Sequence, residues 1–540
     1  MRKYLLYITS LLLIARGGYC QAPGNDTVLK GSVIEVIQAY KPQVRQAPKP
    51  EWLPVLPPAD TFHRVFNYVV PQQSLYYVYH SDPFKPLALG KDTVPLPLPD
   101  YIKAGVGNLS TVYLDAGVSS LATADNETYF HVHHLSQNGD IKYEQSALSG
   151  IESEGMLFHN SSMWHGLLNL ERNQYNFYGF DQKKYKYSDA DSLRQTYTTI
   201  EMKADYKKLG DEDGDMSYNP SVSAYYYGAR FQTHESSAGV ALPFVYDADS
   251  VFEATLTLSD NYAQLKTDSP SIGNNLLKIV PGASVYREGW KAWGRLGLAF
   301  GNTGNVSLLP EIEANKKIAG TGYKVGCGWQ SSIVQNTYRQ LTSENPYILQ
   351  YYPLKQSRND ELYVSGVGYY NVLQFAARIG WVNFRSLPTY LDTLGDRKQF
   401  QVAYDTVSAM KLQFSCRYFM SDMYEAGVQC LYYKYFNGTS TYPWNLPNFT
   451  LRGEMAVKPV GNLVVTGYLC MLSGVHGIDI SRKVTELKAG TDIGLNGEYR
   501  INLHFNVFVQ ADNILNQKYQ QYMGYEMYGI NIFGGVRWKF

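Results

Sequence analysis

The stretch from Tyr528 to Phe540, YGINIFGGVRWKF, constrains the fold more than any other part of this sequence. Ile530, Ile532, Gly534, Val536, Trp538 and Phe540 fall on one face, and Asn531, Phe533, Gly535, Arg537 and Lys539 on the other. That is the period of a strand with one apolar and one mostly polar face. A soluble sandwich rarely commits its final residue to an exposed apolar face. An outer-membrane barrel does, because its lipid face is apolar, its lumen is polar and aromatic residues sit at the interface. Tyr528, Ile530, Ile532, Val536, Trp538 and Phe540 are therefore expected to act as a barrel-closing C-terminal signal.

Length and composition fit that expectation. A chain of 540 residues exceeds one ordinary soluble core, but barrel strands face lipid and need no shared core. Tyrosine supplies 47 residues, which suits an interfacial girdle where one end of the side chain is apolar and the other wet. Lysine plus arginine equals aspartate plus glutamate, 48 each, so no basic surplus points to nucleic acid.

Residues 1–20 read as a secretory signal peptide. Arg2 and Lys3 form its positive region, and Leu5 to Ala15 is apolar but too short to span a bilayer as a helix. Residues 21–100 form a proline-rich arm, with Pro42, Pro48, Pro50, Pro54, Pro57 and Pro58 followed by Pro83, Pro86, Pro95, Pro97 and Pro99. Proline removes ladder donors, so an extended periplasmic or lumenal segment is expected there. Cys327, Cys416, Cys430 and Cys470 remain after the leader; Cys416 and Cys430 flank a turn near Asp422, and all four read best as small residues on strands.

From about residue 101 to 540 alternating segments recur. Candidate strands are 127–136, 163–178, 197–208, 221–234, 250–259, 276–287, 290–300, 321–334, 361–369, 372–385, 411–420, 424–435, 447–457, 463–472, 484–496 and 501–511. Ile501, Leu503, Phe505, Val507 and Val509 alternate with Asn502, His504, Asn506, Phe508 and Gln510. Short links at Asn496–Arg500, Lys458–Asn462, Ser421–Tyr424, Arg287–Trp290 and Lys316–Gly322 contrast with long ones at 335–360, 436–446, 473–483 and 512–527. Short turns at one end and long loops at the other are the barrel pattern. The fold class expected is all-β: a large antiparallel transmembrane β-barrel of about 20–22 strands, an even number. Residues 399–408 and 102–119 leave the count open.

Asp512-Asn513-Ile514-Leu515-Asn516-Gln517-Lys518-Tyr519, then Gly524-Tyr525, Gly529 and the closing Gly534-Gly535-Val536-Arg537-Trp538-Lys539-Phe540, resemble the end of TonB-dependent outer-membrane receptors. Tyr101 to Asn108, His134-Leu135-Ser136 and Asn345-Pro346-Tyr347 are similar to such barrels as well. The resemblance implies a receptor-like barrel over residues 100–540, solute transport, no enzymatic activity and no cofactor. It departs at the N-terminus, where no plug domain is recognisable. Val33, Ile34, Glu35, Val36 and Ile37 are loosely similar to a TonB box, which would pair by strand addition. They also read simply as a short strand.

His131 and His133 share a strand face, but two ligands make a weak metal site and no carboxylate or cysteine neighbour completes it, so polar lumen lining is expected. Asp211-Glu212-Asp213-Gly214-Asp215 lacks the glycine that a calcium loop needs at its sixth position, where Met216 stands, and reads as a solvated turn. Tyr347, Tyr351, Tyr352, Asn336, Asn437, Tyr442, Trp444 and Asn445 place exposed aromatics and amides in the long links, suited to glycans or a partner protein or to a girdle. No HExxH, P-loop or nucleophile elbow is present, and no catalytic, cofactor or metal residue is expected.

Two functions follow. One is solute uptake across the outer membrane, with TonB or a surface lipoprotein as partner. The alternative is a non-transporting barrel subunit or scaffold of an outer-membrane assembly or export complex. Either protein resides in the outer membrane, contacts its lipid, and uses the barrel assembly machinery during insertion.

Overall fold

The computed structural model describes residues 100–540, apart from 120–124, 160, 188–189, 209–215, 231–232, 250, 269–270, 303, 350–353, 422, 437, 439–441 and 479–482. The leader, the proline-rich arm as far as residue 99, Val33–Ile37 and the acidic stretch 211–215 lie outside the described residues.

Twenty-two antiparallel strands form one closed barrel. In order they are β1 (Tyr101–Gly107), β2 (Val112–Val118), β3 (Asn126–Asn138), β4 (Gln145–His159), β5 (Ser162–Asn176), β6 (Arg194–Lys208), β7 (Ser221–Ala229), β8 (His234–Asp249), β9 (Phe252–Lys266), β10 (Ile272–Arg287) and β11 (Trp290–Gly301). The second half comprises β12 (Val306–Lys317), β13 (Tyr323–Gln335), β14 (Gln356–Tyr370), β15 (Leu373–Leu391), β16 (Gln401–Ser421), β17 (Tyr424–Tyr435), β18 (Phe449–Val460), β19 (Leu463–Ser473), β20 (Gly490–Arg500), β21 (Phe505–Asp512) and β22 (Asn531–Lys539). Met216–Tyr218 continues β7 downward along the same neighbour, β8, on the far side of Asn219 and Pro220. Proline has no N–H for the ladder, which accounts for the interruption.

β22 closes the barrel on β1. Tyr101 lies opposite Lys539 and Gly107 opposite Phe533. Gly535 is needed at this seam, because a Cβ there would collide with the Ala104 carbonyl oxygen. Face alternation on β22 follows the sequence pattern. Ile532, Val536 and Trp538 are exposed on the outside, while Asn531, Phe533 and Arg537 are buried inside. β21 repeats this, with Phe505, Val507 and Val509 outward and Asn506, Phe508 and Gln510 inward. Trp164, Trp329, Trp381 and Trp538 all stand on the outer surface. An apolar, aromatic exterior around a polar interior is a surface suited to lipid rather than water.

Several sequence expectations need correction. Residues 101–118 are two strands, and 401–421 is one long strand, which settles the even count. β4, β8 and β12 were not among the candidate strands. Ile501 and Leu503 sit in the turn 501–504 and not on a strand, because β20 runs through Asn496–Arg500 to its end. Val484–Glu486 belongs to a small hairpin with His476–Ile478. Phe414 faces Cys430 and Cys416 faces Val428, so the two thiols are offset by two rungs, and both are free.

The outer face gives a direct test. Val536→Arg places a charge near mid-height of the lipid face and is expected to cost about 2–4 kcal/mol, whereas Phe540→Arg at the rim costs about 0–1 kcal/mol. Denaturant unfolding of the protein in liposomes measures both. Equal costs at the two positions would contradict this placement of the lipid band.

Candidate functional site

The long-loop end of the barrel is covered by its own loops. Link 336–355 carries a helix, α1 (Tyr338–Glu344), whose N-cap Thr337 accepts a hydrogen bond from the Gln340 N–H. Glu235 of β8 holds the same helix end. Its carboxylate accepts from the N–H of Tyr338 at 2.6 Å and of Arg339 at 3.2 Å, and from the Tyr225 hydroxyl at 2.8 Å. A carboxylate at a helix N-terminus satisfies orphan donors and opposes the positive end of the dipole. Arg339 reaches Glu201 of β6 at 2.6 Å and lies over the Tyr225 ring. The helix is thereby fixed to the inner wall of β6–β8, and Tyr338 and Leu341 are fully buried there.

Beyond the helix, Tyr347 stacks on Tyr525 from link 513–530, with ring centroids 3.6 Å apart. Tyr178 from link 177–193 meets both rings edge-on. Tyr522 packs against Tyr390 and Phe400. The hydroxyls reach across the mouth: Tyr178 donates to the Glu526 carbonyl at 2.6 Å, Tyr197 to Pro346 at 2.8 Å, Tyr522 to Glu344 at 2.6 Å, and Tyr525 to Lys398. Gly524, with φ of 91°, turns the chain where any Cβ would strike the Gly179 carbonyl. Four links, 177–193, 336–355, 392–400 and 513–530, thus share one tyrosine-rich core. Burial raises the Tyr347, Tyr522, Tyr525 and Tyr528 hydroxyls above their ordinary pKa.

This corrects the expectation of exposed loop aromatics. Asn336, Tyr347, Trp444 and Asn445 are all buried. Asn445 donates to the Tyr390 carbonyl, and Tyr442 stacks on His476. Tyr351, Tyr352 and Asn437 lie outside the described residues.

Below the lid the wall is charged, and several of its charges are paired. Near the seam Glu498 binds Arg537 at 2.9 Å and Lys103 at 3.6 Å. On the far wall Glu361 binds Arg378 at 2.8 Å and Lys411 at 3.2 Å, and the Arg378 guanidinium covers the Tyr363 ring. His165 is held between Asp205 at 2.7 Å and Glu154 at 3.0 Å. His131 and His133 do share a lumenal face, but His131 has a carboxylate partner the sequence reading missed, Asp115 of the adjacent strand, at 3.2 Å. His134 points the other way, to Ser149. Among the described residues no group of three or more His, Cys, Asp or Glu side chains is arranged for a metal ion.

A cavity of about 330 Å³ opens in the wall beneath the C-terminal end of α1, between β13 and β18. Asn336, Gln340 and Glu344 form its roof, Glu361 and Lys411 part of its floor. Sequence reasoning found none of Glu235, Glu201, Arg339 or the tyrosine core. The available signal was tyrosine density in the links: Tyr178, Tyr185 and Tyr187, then Tyr519, Tyr522, Tyr525 and Tyr528.

Glu235→Ala leaves two buried N–H groups unpaired, at a cost of about 1–3 kcal/mol. Faster hydrogen exchange across Tyr338–Glu344 is the expected readout, and unchanged exchange would show that Glu235 does not hold the helix. Alkaline pH should also open the lid. The lid tyrosines have folded pKa values raised above the unfolded value of about 10, so their contribution is full below that pH and is lost as pH rises past it. Tyrosinate absorbance is expected to show a late-titrating class of tyrosines, reduced by two in the Tyr347→Phe, Tyr525→Phe double variant.

No family model and no curated protein matches the sequence. Solved structures do match the fold. The FrpB iron transporter from Neisseria meningitidis (F3-3 variant) aligns with a TM-score of 0.63 at 10% identity, over 82% of this chain and 81% of that one. The pyoverdine outer membrane receptor FpvA from Pseudomonas aeruginosa PAO1, bound to pyoverdine, gives 0.59 at 11% identity over 82% and 78%. The copper transporter OprC gives 0.59 at 11% over 82% and 80%. With its strands closed into one ring and no folded plug among the described residues, the chain is a closed 22-strand antiparallel β-barrel that matches TonB-dependent receptors in fold.

Proposed function

We propose that this protein takes part in moving a solute across the outer membrane. The observation that carries the reading is a wide polar lumen sealed at one end by loops that reach across it and stack on each other at Tyr347 and Tyr525. A seal made of side-chain packing and a few hydrogen bonds is reversible, since each aromatic pair contributes about 0.5–1.5 kcal/mol. The long-loop end then faces outward, and the turns and the end of β22 face the periplasm, in keeping with the barrel pattern. Iron and copper are named for some of the similar structures, but the fold alone does not carry their cargo to this chain.

TonB is the proposed energy source, with Val33, Ile34, Glu35, Val36 and Ile37 as the pairing segment. A surface lipoprotein is a second proposed partner, seated on the long loops. The function has no catalytic step.

Conductance of the purified full-length protein in planar bilayers tests the reading. The native protein is expected to be closed, and the Tyr347→Ala, Tyr525→Ala double variant to open a stable conductance. A barrel that stays closed in the variant, and co-purifies with export or assembly components, would support the scaffold reading instead.

A further inference from the structure

The outward wall of β13–β17 carries a cationic patch near the long-loop end, and the inference drawn from it rests on the orientation in the uptake reading. Trp329 and Trp381 lie on either side of Leu362 at one rung of the ladder, and all three are exposed. Aromatic girdles mark the edges of a lipid band. Among the described residues, those facing outward below this rung on β14–β17 are uncharged, including Val364, Ile379 and Phe414.

Above the rung the face changes. Asp360 stands one outward position higher and Arg358 two, and Arg385 lies directly opposite Arg358. Lys434 sits on the rung of Trp381, across Met410. Arg358 is twelve residues from Tyr370 at the short-turn end of β14. At about 3.4 Å per residue and a tilt of about 40°, that is roughly 30 Å, just beyond an apolar band about 25 Å tall. Like charges directly opposite on adjacent strands repel, and one carboxylate separates them. Asp360 accepts from the Arg358 guanidinium at 2.9 to 3.0 Å and from the Ser331 hydroxyl at 2.6 Å. Arg385 is left 3.7 Å from it, beyond hydrogen-bond reach, with its side chain 62% exposed. Arg358, Arg385 and Lys434 against Asp360 leave two positive charges in surplus.

Apolar rings adjoin the patch. Trp381 stacks on Phe436 at 4.8 Å, and Lys434 lies over the Phe436 ring. The Trp381 indole donates to Asn383, which also accepts from Ser408, so the ring is held against the wall. A soluble anion matches the guanidinium but not the apolar wall beneath it. A lipid matches both, with its phosphate at the interface and its chains below. Guanidinium forks pair bidentately with phosphate oxygens, and basic clusters at a membrane surface recognise lipid head groups. A phosphomonoester carries about 1.5 to 2 negative charges near pH 7, which fits the surplus better than the single charge of a phosphodiester.

We infer that Arg385, with Arg358 and Lys434, binds the phosphomonoester headgroup of an acylated lipid in the outer leaflet, whose chains lie on Leu362, Ile379 and the Trp381–Phe436 pair.

The test uses full-length protein purified in detergent and stripped of lipid, titrated with diphosphoryl lipid A and followed by native mass spectrometry. One saturable adduct is expected. Fully dephosphorylated lipid A and the phosphodiester phosphatidylglycerol should bind about tenfold more weakly or worse, and millimolar inorganic phosphate should not displace the adduct. The Arg385→Gln, Lys434→Gln double variant should weaken binding about tenfold or more. Arg172→Gln, at an outward-facing cation of β5, should leave it unchanged. Heat-dependent gel migration establishes that each variant is folded. The assignment is overturned if no saturable adduct forms, if either contrast lipid binds as tightly, or if inorganic phosphate displaces the adduct. It is equally overturned if the double variant binds like the native protein, or if Arg172→Gln weakens binding as much. Bilayer conductance keeps the two proposals apart: a lid that opens on a barrel without the lipid adduct defeats this site alone, and an adduct on a barrel that never conducts defeats uptake alone.

Discussion

Everything in this fold depends on the backbone hydrogen bonds between β1 and β22. In hydrocarbon an unpaired N–H or C=O has no water to turn to, so a sheet can span a membrane only if it has no edge. The register of Tyr101 on Lys539 supplies the missing partners for both terminal strands at once. The buried Lys103–Glu498–Arg537 group lies directly behind that junction. Breaking one partner there would strand a charge at the point where the ring is joined, which is costlier than losing an exposed ion pair.

Closure creates a second problem at the mouth. A ring this wide has a lumen that its own wall side chains cannot fill. In the described residues the upper part is filled by four links, and they pack as a protein interior does. Fully buried Tyr338, Tyr347, Tyr522 and Tyr525 take the place that leucine and valine hold in a soluble core. Tyrosine suits the position because each ring gives apolar area, while the Tyr522 and Tyr525 hydroxyls reach the Glu344 and Lys398 carbonyls. The wall beneath is polar, and several of its carboxylates sit beside arginine, lysine or histidine.

The sequence was most legible where alternation is strong. β21 and β22 carry branched or aromatic residues outward and amides or Arg537 inward, so their faces were assigned correctly. β4, β8 and β12 were missed for a physical reason. β4 includes Gly150, Gly155, Glu152 and Glu154, β8 has Ser236, Ser237, Ala238 and Pro243, and β12 is interrupted by Pro310. Small residues, proline and paired lumenal charges flatten the period-two signal while the ladder itself persists. Of the lid only tyrosine density in the links was legible, since loop packing is set by contacts between links far apart in sequence. Tyr347 and Tyr525 are separated by eight of the barrel's strands, and nothing local in either link says that these two rings meet.

The direction of the lid's hydrogen bonds has an evolutionary consequence. Tyr178, Tyr197, Tyr522 and Tyr525 all donate to main-chain carbonyls, at Glu526, Pro346, Glu344 and Lys398. A carbonyl is supplied by every amino acid, so the accepting positions are free to mutate as long as the chain path holds. Exposed surface on these links can therefore diversify under selection while the latch beneath it is preserved, with the burden of invariance falling on four phenol rings.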